Sequence, residues 1–215
     1  MSEVAAGNSV ATGLLGLALR QFDGRLSRGP VLAHGLRAGL LIDLALAGRI
    51  TLGPAGTEMD TTPTGWALAD ELLGDIDRHP TRSMSDLLQR GRPHLGTAIH
   101  ELCSTGRWVT QRRALTATGS TYREADTTRS TVLAERLAHL AHGRTGRGDE
   151  REAATIALAV AAGLGTGRRA RGLPEEVMAE CGAVAWLVQD VTHFIVAAAA
   201  QDRAADFGGN AQFYI

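Results

Sequence analysis

Few stretches of this chain carry side chains at spacings that could do chemistry. Asp190 and His193 stand one turn apart in the run AVAWLVQDVTHFIVAAAA at 183–200, the separation of an acid–base pair on one helical face. No serine or cysteine lies nearby in sequence to act as nucleophile, so a hydrogen-bonded core pair is the preferred reading. His100-Glu101 lacks the second histidine that a zinc-protease helix requires. Gly163, Gly165 and Gly167 follow a predicted helix rather than a strand, and without lysine no P-loop can be written. Cys103 and Cys181 have no CxxC and no histidine spaced as a metal partner, which fits reduced thiols and no metal or cofactor. Asp60, Asp70, Glu71 and Asp75 cluster about the segment 66–78 and read as helix caps and a solvated face. Catalysis finds no support here.

The basic residues remain. All 22 are arginine, so every basic surface presents planar forks suited to phosphate. Net charge is −1 and the pI is about 6.7, so attraction to an anion must come from a local patch. Arg168, Arg169 and Arg171 cluster in a predicted loop. Arg37 poses a sharper question, because it interrupts HGLRAGLLIDLALAGRI at 34–50, a stretch otherwise built for burial. An unpartnered guanidinium inside such a helix is costly. Asp43 lies six residues on, about 600° of helix away, so the two side chains point to different faces. Asp190 or an external anion is left as the partner.

Helical periodicity dominates the elements that must position these residues. Helices are expected at 10–22, at 30–47 with Pro30 in the first turn and Gly48 past the end, at 66–78, at 83–90 and at 93–105. Further helices are expected at 127–142, at 150–163 and from Pro174 to about Ala205, broken near Gly182. Two hairpins interrupt them. RITLGPAGTEMD at 49–60 turns at Gly-Pro, and residues 107–126 alternate around Gly119-Ser120 and read as a projecting β-hairpin. The run 183–200 approaches membrane-span length, but Gln189, Asp190 and His193 in its middle predict a buried central helix of a soluble protein. The N-terminus lacks the pattern of a signal peptide. The expectation is a mostly α single domain over 1–215, with its core at about 10–205 and a loose C-terminal tail.

Two motifs in order then point to a family. GLRAGLLIDLALAGRITL, followed by Asp60-Thr-Thr-Pro63-Thr64-Gly65 and ALADELLGDI, resembles the Golgi phosphoprotein 3 family patterns GLRG-x-LIELALRGRL and D-x-PTGD-x-LLDEAL. GLLGLALRQFDGRLS, LCSTGRWV and the run at 183–200 are similar to its first helix, its pre-hairpin segment and its apolar C-terminal helix. The all-arginine composition and compact length suggest a bacterial-type relative.

This resemblance implies a non-catalytic, cytoplasmic, peripheral membrane protein. It implies a central apolar helical bundle surrounded by amphipathic helices, plus a protruding β-hairpin involved in self-association. Eukaryotic members bind phosphatidylinositol 4-phosphate in a pocket of one tryptophan and three arginines, and contact the cytosolic tails of Golgi enzymes. Carried onto this chain, the motif arginine is Arg37, facing outward to take a phosphate, and a second is Arg92. The third falls on Leu95, and the tryptophan falls on Arg28 or Gly29, so Arg28 can contribute charge but no aromatic wall. Arg37, Arg92 and Arg28 are therefore the expected head-group ligands. The expected partners are an anionic phospholipid surface, protein clients and a second copy held weakly through 107–126. The alternative is a winged-helix-like nucleic-acid binder using the helix and hairpin of 93–126 with Arg107, Arg112 and Arg113. A third is a partner protein recognising another chain through the hairpin.

Overall fold

The computed structural model describes residues 8–21, 24–26, 30–53, 56–111, 120–143, 148–164 and 175–209. Three helices lack a polar face, and they form the centre. These are α1 (Val10–Gln21), α2 (Pro30–Leu46) and α7 (Glu150–Ala161). In α2 every residue from 34 to 44 is buried, and in α7 every residue from Ala153 to Ala161. A helix apolar all round is stable only when neighbours cover every side. α1 packs on α2, α6 and α7, while α2 also meets α3, α4 and α9.

The outer helices each bury one stripe. They are α3 (Ala67–Arg78), α4 (Met84–Arg90), α5 (Leu95–Ser104), α6 (Thr128–Ala141), α8 (Glu175–Glu180) and α9 (Ala185–Gly209). Ser83 caps α4 by accepting from the Asp86 amide at 3.2 Å, and Asp149 caps α7 by accepting from the Glu152 amide at 2.7 Å. The first hairpin pairs β1 (Ile50–Gly53) with β2 (Gly56–Met59). The second pairs β3 (Trp108–Gln111) with β4 (Thr121–Glu124), Trp108 opposite Glu124 and Gln111 opposite Thr121. Its base is anchored by buried Trp108 and Thr121. Residues 112–119, including Arg112, Arg113 and the predicted Gly119 turn position, lie outside the described residues, as does the loop with Arg168, Arg169 and Arg171.

The glycines of GLRAG have a packing reason. A Cβ on Gly39 would stand 2.7 Å from the Cα of Ala11, and one on Gly35 would stand 2.7 Å from Leu14 Cδ2. α1 and α2 therefore cross at a distance that only missing side chains allow. Asp43, fully buried, reaches α1 and accepts from the amides of Val10 at 2.8 Å and Ala11 at 3.2 Å, so a side chain of α2 caps α1. Arg151 of α7 pairs with the same carboxylate at 3.0 Å.

One expectation fails in α9. The segment Gly182–Gln201 is long and apolar enough to span a membrane, yet only 33% of its apolar window is buried. Val184, Leu187, Val188, Val191, Thr192 and Ile195 face the body, whereas Gln189, Asp190 and His193 are exposed. The helix is amphipathic rather than central, and Asp190 and His193 are not a core pair. Its polar residues fall together on the far face of a 3.6-residue repeat. Alanine-rich α7 takes the central place, because small side chains let α1, α2 and α9 approach it closely.

Candidate anion-binding site

Arg37 sits in the middle of α2 and is 2% exposed. Neither expected partner holds it: Asp43 faces α1, as the helical angle requires, and Asp190 is on the surface. Its guanidinium points into the segment that ends α4 and begins α5. Nε donates to Leu88 O at 2.7 Å, Nη2 to Gln89 O at 3.2 Å and Nη1 to Pro93 O at 3.3 Å. Leu88 and Gln89 belong to the last turn of α4, whose carbonyls have no acceptor role within the helix and carry the negative end of its dipole. Arg37 is thus a C-terminal cap supplied by another helix. Burial lowers its pKa to about 10, opposed by the charge of Asp75, so it stays cationic at neutral pH. The outward-facing guanidinium expected from the motif is not what this position presents.

Arg92 is what the held segment displays. Its side chain is 55% exposed and reaches Glu71 of α3 at 3.6 Å. Its amide donates to Asp75 Oδ2 at 3.0 Å, and the Arg92–Pro93 peptide is cis. Gly91 allows this path, since a Cβ there would stand 2.3 Å from Leu87 O. Arg28 lies outside the described residues. Of the three arginines expected as ligands, the structure therefore brings Arg37 and Arg92 to one short segment, one beneath it and one on its surface.

Asp75 was missed as a site residue. It was read with a solvated face but is 3% exposed, and it organises the surroundings. Arg82 Nη1 approaches Oδ2 at 2.7 Å, His79 Nδ1 approaches Oδ1 at 3.3 Å and Arg78 Nη2 approaches Oδ1 at 3.9 Å. The available signal was its spacing: Asp75 follows Leu72 by three residues, at the margin of the apolar stripe of α3. Asp70, by contrast, does what its position suggested. Its carboxylate accepts from Thr64 Oγ1 at 2.7 Å, the Thr64 amide at 2.5 Å and the Gly65 amide at 3.0 Å, pinning the Pro-Thr-Gly turn to α3.

Both motifs now have a place: one builds the α1–α2 crossing and holds the 88–93 segment, the other ties the first hairpin to α3. The family model for Golgi phosphoprotein 3 (GPP34) matches residues 11–198. The chain belongs to the GPP34 family. Among curated proteins, none matches it in sequence. The mostly α architecture expected of a GPP34 protein is present, with two small antiparallel hairpins among the described residues. Among those residues, no group of three or more histidine, cysteine, aspartate or glutamate side chains could hold a metal ion.

Proposed function

We propose that this GPP34 protein is a non-catalytic, cytoplasmic peripheral membrane protein that binds anionic phospholipid head groups of phosphoinositide type. The observation that carries the reading is the exposed guanidinium of Arg92 on a segment held from beneath by Arg37 and Asp75. A fork presented on a fixed backbone loses little entropy when it takes up phosphate oxygens. Arg92 is the direct ligand. Arg37 acts through the carbonyls it holds, and Arg28 is retained as a third contributor on sequence grounds alone. One or two exposed arginines hold a membrane weakly, at about 1 kcal/mol each, so further contacts must add to them. Self-association through the second hairpin would supply such avidity, and protein clients would be recruited to the same surface.

The test is co-sedimentation with phosphatidylcholine vesicles, plain or doped with phosphatidylinositol 4-phosphate, phosphatidic acid or phosphatidylserine. Pelleting with the doped vesicles, weakened by salt and by Arg92→Ala, is the expected result. Failure to pellet with any anionic vesicle at low salt, or retention on DNA-cellulose instead, would overturn the reading.

A further inference from the structure

We infer that Arg82, held by Asp75, is a second direct contact of this anion site, and that the site takes a phosphate monoester. The inference rests on the head-group reading above and names residues that the family motifs do not contain. Glu71, Asp75 and Arg78 recur at i, i+4 and i+7, so they share one face of α3. Arg82 from the turn before α4 and Arg92 from the segment after it both close onto that face. Asp75 Oδ2 accepts from Arg82 Nη1 and from the Arg92 amide, so one buried oxygen sets the positions of both arginines.

The charge balance selects the ligand. Arg37, Arg78, Arg82 and Arg92 surround two carboxylates, Asp75 and Glu71. Two positive charges are in excess with His79 neutral, and Asp86 takes up Arg90 separately at 3.1 Å. A phosphate monoester carries about −1.5 to −2 charge near neutral pH, whereas a diester carries about −1. The monoester also has three terminal oxygens, enough for more than one guanidinium. Arg82 spends one nitrogen on Asp75 and has no other side-chain partner among the described residues. Its side chain is 20% exposed and that of Arg78 is 58% exposed. Asp75 is the positioning residue: it touches no ligand, but it orients Arg82 and fixes the backbone of Arg92.

The experiment compares vesicles of equal anionic charge carrying either a monoester head group, phosphatidic acid or phosphatidylinositol 4-phosphate, or a diester one, phosphatidylglycerol. Calorimetry with inorganic phosphate and with inositol 1,4-bisphosphate separates the lipid from the free anion. The wild-type chain should prefer the monoester vesicles, and Arg82→Gln should cut that preference about tenfold while leaving diester binding nearly unchanged. Arg82→Lys keeps the charge but cannot fork between Asp75 and a phosphate, so it should restore only part of the preference. If Arg82→Gln fails to fold, Arg78→Gln, at a more exposed arginine, is read for the same loss. Equal binding of monoester and diester vesicles by the wild type, or an unchanged preference in the Arg82 and Arg78 variants, would overturn the inference and leave the head-group reading standing. Binding of soluble monoester without any vesicle binding would support the site and reject the membrane role.

Discussion

Substitution of Arg37 separates a ligand from a structural cap. In Arg37→Met the aliphatic stem is largely retained, and what disappears is the charged head with its three bonds to Leu88, Gln89 and Pro93 carbonyls. Hydrogen bonds from a charged donor contribute about 1.5–3 kcal/mol each, and a buried acceptor left alone costs about 1–3 kcal/mol. The three do not add fully, because the Gln89 and Pro93 contacts are long and water can reach an opened segment. A loss of about 3–5 kcal/mol is expected, the range seen when a buried charged partner is removed. For a chain of this size, each kcal/mol lowers Tm by about 2–4 °C, so the melt should fall by about 6–20 °C. Urea unfolding gives the same quantity with an unchanged m-value if the ground states are otherwise alike. Vesicle binding should also fall, because the Arg92 segment loosens, but in proportion to the fraction still ordered. A melt within about 1 °C of wild type, together with abolished vesicle binding, would refute the reasoning, since a direct ligand contributes to binding and not to the core.

Other expectations are briefer. Gly39→Ala should cost about 1–3 kcal/mol in urea unfolding, because the new methyl meets the backbone of Ala11 at 2.7 Å. Gly74→Ala in α3 has nothing within 4 Å and should instead stabilise by about 0.5–1 kcal/mol. Equal effects of the two would contradict the close α1–α2 crossing. Burial raises the Asp43 pKa to about 6 against the opposing Val10 and Ala11 amides and Arg151. The folded value exceeds the unfolded one of about 3.9, so this group's contribution is full below about pH 4 and is lost as pH rises through about 6, a swing of about 3 kcal/mol. Subtracting the stability–pH profile of Asp43→Asn from that of the wild type isolates it, and a flat difference between about pH 4 and pH 7 would reject the assignment. Arg92→Ala, at an exposed position, should shift stability by no more than about 0.5 kcal/mol while weakening binding to anionic vesicles about fivefold.

What the sequence disclosed follows how local each signal is. Helix existence, both hairpins and the stops at Gly48 and Gly106 are encoded within a few residues of where they act, and the φ of +72° at each of those glycines shows why glycine stands there. The centre of the bundle was harder to see. The run at 183–200 has the greater length and apolarity, but its polar residues share a face, and α7 is buried through nine consecutive small and branched side chains without being conspicuous. Arg37 was conspicuous, and its incompatibility with Asp43 followed from helix geometry alone. Its true partners could not be found the same way, because carbonyl groups at the end of α4 are backbone atoms and leave no mark on composition. Asp75 was hidden for a related reason: its burial is decided by the segment 88–93 folding across it, a contact 17 residues distant in the chain for Arg92.

The GLRAG motif therefore joins two demands in five residues. Its glycines let α1 and α2 touch, and its arginine crosses to the other side of α2 and fixes the segment that displays Arg92. A side chain that is 2% exposed can still be indispensable to binding when it holds the backbone carrying the exposed fork. Loss of binding on substituting such an arginine is consequently poor proof of direct contact. The discriminating quantity is the ratio of the two effects: Arg92→Ala should change binding without stability, Arg37→Met should change both together, and Arg82→Gln should change head-group preference. A site whose charged residues gave the same ratio throughout would be a flat electrostatic patch, with no division between the arginine that holds and those that bind.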